Sequence, residues 1–143
     1  MTTTLDKKAL AAAHARLAAT IEMFKSYSTD TPDDRYLEAV QSGNCYSSRR
    51  NVVYYKKLLA DNLVDFEEAV EINNDAAQSR AQANMAQNKA KIKVAQQLHA
   101  CEVAVYESIA GNTWTPKGTE TATKGPRKQL SAAELKEIRE LVA

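Results

Sequence analysis

Asn73-Asn74-Asp75 is the stretch that decides the fold, because two long runs with helical periodicity flank it. One face of the run before it carries apolar residues three or four positions apart: Val52, Tyr55, Leu59, Leu63, Phe66 and Val70. Asn and Asp side chains compete with the helical backbone for hydrogen bonds, and the apolar spacing lapses here. The stretch is therefore predicted to be a turn that joins two antiparallel helices. The alternative is a polar patch inside one rod from about Ser47 to Ala110, about 95 Å long.

The helix predicted after this turn, at 76–110, changes composition midway. Up to Ala90 it is rich in Ala, Gln and Asn, and Met85 is its only large apolar residue. Beyond that point an apolar stripe follows: Val94, Leu98, Cys101, Val105 and Ile109. The first half is either a thin face pressed against another helix or a stretch that meets a partner subunit. Gly111-Asn112 is a typical helix stop.

Three helices are predicted before the turn, at about 5–27, 32–41 and 47–72. The first has an apolar stripe at helical spacing: Leu10, His14, Leu17, Ile21 and Phe24. Thr31 as a cap, with Pro32 at the first helical position, predicts the start of the second. Ser42-Gly43-Asn44 is expected to end that helix before the third begins.

The C-terminal region is predicted to be a tethered helix. Three of the four glycines and two of the three prolines lie between Gly111 and Gln129, so 112–129 is interpreted as a linker. Ser131 and Glu134 have the spacing of a capping box. A helix at 130–143 is marginal alone in water, so its apolar stripe needs a surface to pack against. The fold class predicted is all-α: an elongated helical bundle or hairpin at 1–111 with a tethered docking helix at its C-terminus.

Composition argues against several classes of partner. The 143 residues include 19 basic and 18 acidic side chains, and none of the four segments 1–43, 44–72, 73–111 and 112–143 has an excess of more than two charges of either sign. A dedicated nucleic-acid or anionic-membrane binder would show a basic excess on one element. No window approaches 18 uninterrupted apolar residues, so no membrane partner is predicted. The N-terminus has no apolar export segment, and the expected location is the cytoplasm or a virion.

No catalytic or metal-binding constellation is recognisable, so neither an enzyme nor a cofactor is predicted. His99, Cys101 and Glu102 contain the groups of a nucleophile and a base. Residues two apart on a helix point in different directions, however, so a Cys–His dyad is disfavoured. Paired Glu-x-x-His motifs and Gly-rich phosphate loops are absent from the sequence. Cys45 and Cys101 are expected to be reduced core residues, although their spacing does not exclude a disulfide.

The function predicted is a non-catalytic helical interaction or assembly subunit with protein partners, as a homo-oligomer or in a larger assembly. A small structural or accessory component of a bacteriophage particle is the specific expectation. The candidate interface residues are apolar or aromatic: Trp114, Leu130, Leu135, Ile138, Leu141 and Tyr54. Trp114 either tucks against the body or inserts into a partner pocket.

Two alternative functions remain open. In the first, the protein associates with nucleic acid through the basic residues of the linker, Lys124, Arg127 and Lys128. In the second, it inhibits a host enzyme, a function for which the sequence offers no signature.

Overall fold

A computed structural model of the chain describes residues 5–27 and 32–116, together with Lys136 and Glu140, which are helical and exposed. The described residues form three α-helices and no strand. These are α1 (Lys7–Tyr27), α2 (Asp34–Glu71) and α3 (Asp75–Ala110). The predicted all-α fold is confirmed.

The stretch at residues 73–75 is the predicted turn, so the hairpin interpretation is confirmed and the rod is wrong. Asn73 adopts a left-handed conformation with φ of 55°. Its N–H donates to the Val70 carbonyl at 3.1 Å, and the Asn74 N–H donates to the Ala69 carbonyl at 2.9 Å, which closes the end of α2. The Asn74 side chain then accepts from the N–H of Ala77 at 3.1 Å and caps α3. Two adjacent asparagines thus end one helix and start the next.

Substitutions at Asn73 should follow this backbone conformation. We expect Asn73→Val to lower the free energy of unfolding by about 1–2 kcal/mol, because a β-branched side chain is disfavoured in the left-handed region. Asn73→Gly should be neutral or slightly stabilising, since glycine adopts this φ without strain. Urea unfolding followed by circular dichroism measures both. If the two variants were equally stable, the left-handed conformation at residue 73 would not be the cause of the effect.

The predicted helix break at Ser42-Gly43-Asn44 is wrong, because α2 runs through it. The side-chain amide of Asn44 donates to Gln41 Oε1 at 3.1 Å, one turn earlier on the same helix, and so does not compete with the helical backbone. An internal glycine costs a helix only about 0.5–1 kcal/mol, which packing along 38 residues outweighs.

The start of α2 also differs from the prediction. Asp33 Oδ1 accepts from the N–H of Tyr36 at 2.8 Å, so Asp33 is the observed cap and α2 begins at Asp34. Thr31, the predicted cap, lies outside the described residues.

The described residues divide into two compact units, the first within Met1–Arg49 and Gln96–Gly118 and the second within Arg50–Ala95. In the first unit α1 packs on α3 through one cluster of buried side chains: Ala9, Ala13, Leu17, Cys101 and Val105. The alanines on α1 permit close helix approach, as its composition suggests. His14, expected on the apolar stripe, is exposed. The buried face of α1 therefore keeps Leu17 of the predicted stripe and adds Ala9 and Ala13, with Leu10 and Ile21 packed at its side.

The second unit contains the turn and the parts of α2 and α3 next to it. Leu59 of α2 and Ile92 of α3 are fully buried in one apolar cluster, which also includes the buried Ala60. Tyr55 and Met85 pack around this cluster, so Tyr55 and Leu59 of the stripe predicted before the turn do form a helix–helix seam, whereas Val70 at its end is exposed. A hydrogen bond of 2.6 Å between the side chains of Asn88 and Asn62 links the two helices beside it.

Candidate interaction site

Two polar side chains of the first unit are almost completely buried, Gln41 at 0% and the carboxylate of Glu102 at 1% exposure. The side-chain amide of Gln41 donates to Glu102 Oε2 at 2.6 Å and to the Glu102 carbonyl at 2.8 Å. Arg16 Nε lies 3.4 Å from Oε1 as an ion pair, although Oε1 accepts no hydrogen bond from the described residues. These three side chains come from α1, α2 and α3. The hydrogen bonds and the ion pair link the three helices of this unit.

Ser48 and His99 form a second polar pair in the first unit. Ser48 Oγ donates to the Cys45 carbonyl at 3.0 Å and lies 2.8 Å from His99 Nδ1. Which atom donates in the second contact depends on the tautomer of His99. In either tautomer the pair links α2 to α3.

Trp114 packs inside its own unit and is only 8% exposed. Its indole N–H donates to Ser42 Oγ at 3.1 Å. Its ring lies edge-on to Tyr46 at 5.1 Å and to His99 at 5.6 Å between centroids. Of the two predicted alternatives, the structure shows the one in which Trp114 tucks against the body. Its assignment as an interface residue is corrected accordingly.

The two cysteines are free and fully buried. Burial, with smaller contributions from Glu102 and Glu107, raises the pKa of Cys45 to about 12. Burial, followed by the charges of Asp6 and Glu102, also raises the pKa of Cys101. A thiol with a raised pKa is a poor nucleophile at neutral pH, so these side chains act as small core residues.

The raised pKa of Cys45 predicts a loss of stability at alkaline pH. Its ordinary pKa is 9.0, so above that pH the unfolded chain releases a proton that the folded chain keeps. Its contribution is constant below pH 9 and should fall by about 1.4 kcal/mol per pH unit as the pH rises toward 12. Urea unfolding of wild type and Cys45→Ala across this range measures the difference. Parallel stability curves would contradict the assignment.

A surface groove lies in the second unit, between the end of α2 and the start of α3, with a volume of about 360 Å³. The α2 side is lined by Asp65, Glu68, Ala69 and Ile72. The α3 side is lined by Ala77, Arg80, Ala81 and Asn84. Both sets follow the spacing i, i+3, i+4, i+7, so each is one face of its helix. The two faces border a common channel beside the turn.

The groove has a small apolar floor and a charged rim. Ala69 and Ala81 are 3% and 4% exposed. Ile72 is 69% exposed, so most of its apolar surface is free to contact a second surface. Two carboxylates, one guanidinium, one amide and the methyl group of Ala77 complete the lining. Such a surface suits an apolar helix ridge: the alanines allow close approach, and Ile72 contributes apolar area.

The other predicted interface residues have different outcomes. Tyr54 is half exposed, and its ring lies edge-on to Tyr55 at 5.4 Å between centroids. Tyr55 packs on the hairpin core, with Lys91 Nζ 5.7 Å from its ring centroid. The remaining predicted residues lie outside the described part of the chain: Leu130, Leu135, Ile138, Leu141, Lys124, Arg127 and Lys128.

Sequence reasoning did not identify the groove. Val70 was predicted to end a buried stripe, yet it is exposed, and Ile72, which was assigned to no face, is exposed as well. The available signal was the alanine-rich composition after Asp75, which had suggested a thin face for another helix.

Comparisons of the chain with protein-family models, with curated proteins and with solved structures give no match. Among the described residues, none of the helices has the length and apolar character needed to cross a bilayer.

Proposed function

We propose that the protein is a non-catalytic helical assembly subunit that associates with further copies of itself through the hairpin groove. The observation that supports this proposal is the position of Ile72, 69% exposed at the edge of a groove floored by alanines. Full burial of an isoleucine contributes about 1.5–3 kcal/mol, and a docked helix would supply that burial.

The charges around the groove favour a protein over a nucleic acid. Asp65 and Glu68 line it beside Arg80, and phosphate groups would be repelled by the excess of carboxylates. Association with nucleic acid through Lys124, Arg127 and Lys128 stays a prediction. So do the bacteriophage setting and the inhibition of a host enzyme.

The substitution Ile72→Asp tests the proposal. It places a charge in the groove at a side chain that the folded subunit leaves mostly in water, so the helices should remain folded. We expect wild type to have a solution mass that is a multiple of 15.8 kDa and the variant to be a monomer. Mass is measured by sedimentation or light scattering, and folding by circular dichroism.

Val94→Asp is the matched control. Val94 is 61% exposed in the same unit and does not line the groove, so this variant should associate like wild type. A wild-type monomer, or an Ile72→Asp variant that associates normally, would refute the proposed function.

A further inference from the structure

The hairpin end that contains the groove is strongly acidic. Between residues 61 and 75 the chain has six carboxylates and neither Lys nor Arg: Asp61, Asp65, Glu67, Glu68, Glu71 and Asp75. Arg80 is the cation among the lining residues. Its occupant should therefore combine an apolar ridge with basic side chains.

The C-terminal part of the same chain has both properties. Residues 117–129 carry four basic side chains against one acidic side chain, whereas residues 130–143 carry two basic and three acidic ones, so the basic character lies before the predicted helix. The helix pattern that follows carries Leu135, Ile138 and Leu141 at spacings of three, on one face. A helix of this length is marginal in water, so this stripe requires a surface that the groove can provide.

Building on the proposed function, we propose that the groove of one copy binds the C-terminal segment 130–143 of a second copy. The apolar stripe packs against the alanine floor and Ile72, and the basic residues before it lie near the acidic hairpin end. The groove and the segment are different surfaces, so this contact is heterologous. Repeated from copy to copy, it joins subunits head to tail into a ring or an open chain.

Two full-length variants with complementary defects test this inference. Ile72→Asp damages the groove and leaves the segment intact, whereas Leu135→Asp with Ile138→Asp damages the segment and leaves the groove intact. Each variant alone should be a monomer. An equimolar mixture should form a complex of twice 15.8 kDa and no larger species, because only one intact contact can form per pair. Each single defect should weaken association by at least 100-fold.

The outcomes distinguish this inference from the proposed function. If Ile72→Asp is monomeric while the segment variant still associates, the groove binds another part of a second copy and the inference is wrong, but the proposed function stands. If both variants are monomeric and their mixture stays monomeric, the segment does not bind the groove of another copy, and the inference is again wrong. If wild type is a monomer, both proposals fail. A mixture of Val94→Asp with the segment variant is the control for the equimolar mixture. Because the groove and the segment of Val94→Asp are both intact, this mixture should form species larger than a pair.

Discussion

The double substitution Leu135→Asp with Ile138→Asp is expected to abolish assembly and to leave the helical body folded. Each apolar side chain contributes about 1.5–3 kcal/mol when buried, so losing both removes about 3–6 kcal/mol of association free energy. That loss corresponds to a dissociation constant about 10²–10⁴ times larger. Solution mass gives the association, and the far-ultraviolet circular dichroism melt gives the stability of the body.

A control with the same change in charge separates the apolar stripe from electrostatics. Ala133→Asp with Lys136→Gln also lowers the net charge by two, and both positions lie opposite the stripe on the predicted helix. We expect this variant to assemble. If the body of the Leu135/Ile138 variant unfolds together with the loss of assembly, the segment belongs to the core and the tethered-helix interpretation is wrong.

The second large effect is expected at Gln41. Gln41→Leu removes the hydrogen bonds to the carboxylate and the carbonyl of Glu102, both of which stay buried. A buried charge that loses its donor is costly, and we expect the free energy of unfolding to fall by about 3 kcal/mol. Urea unfolding measures the change. The same substitution at exposed Gln96 should have little effect.

A second substitution tests the cause. Adding Glu102→Leu to Gln41→Leu removes the buried charge together with its partner, and an apolar pair of similar volume is often as stable as the polar one. The double variant should therefore be more stable than Gln41→Leu alone. A double variant that is less stable would show that packing, and not the missing hydrogen bonds to the buried carboxylate, causes the loss.

Local features of the fold could be predicted from the sequence. The turn at Asn73 and Asn74 depends on backbone preferences of those residues, and Gly111 ends α3 with a φ of 74° as expected. Ser42-Gly43-Asn44 has the composition of a helix end, but the contacts of α2 with its neighbours outweigh the weak local preference. The helix propensities of individual residues do not include such tertiary contacts.

Features that join distant residues could not be predicted. Gln41 and Glu102 are 61 positions apart, and neither lies in a motif that indicates its partner. The groove could not be predicted for a related reason. It forms because the side chains of Ala69 and Ala81 are small, and small side chains leave such a space only once the two helices are paired.

Trp114 gives the protein a spectroscopic probe of one unit. It is the chain's single tryptophan, it is buried in the first unit, and its ring contacts His99 and Tyr46. Selective excitation of the indole therefore follows the packing of that unit alone, whereas helical dichroism follows α1, α2 and α3 together. Coincident unfolding curves by the two signals would show that the units melt cooperatively. An earlier change in dichroism would show that the hairpin end opens first while the tryptophan is still buried.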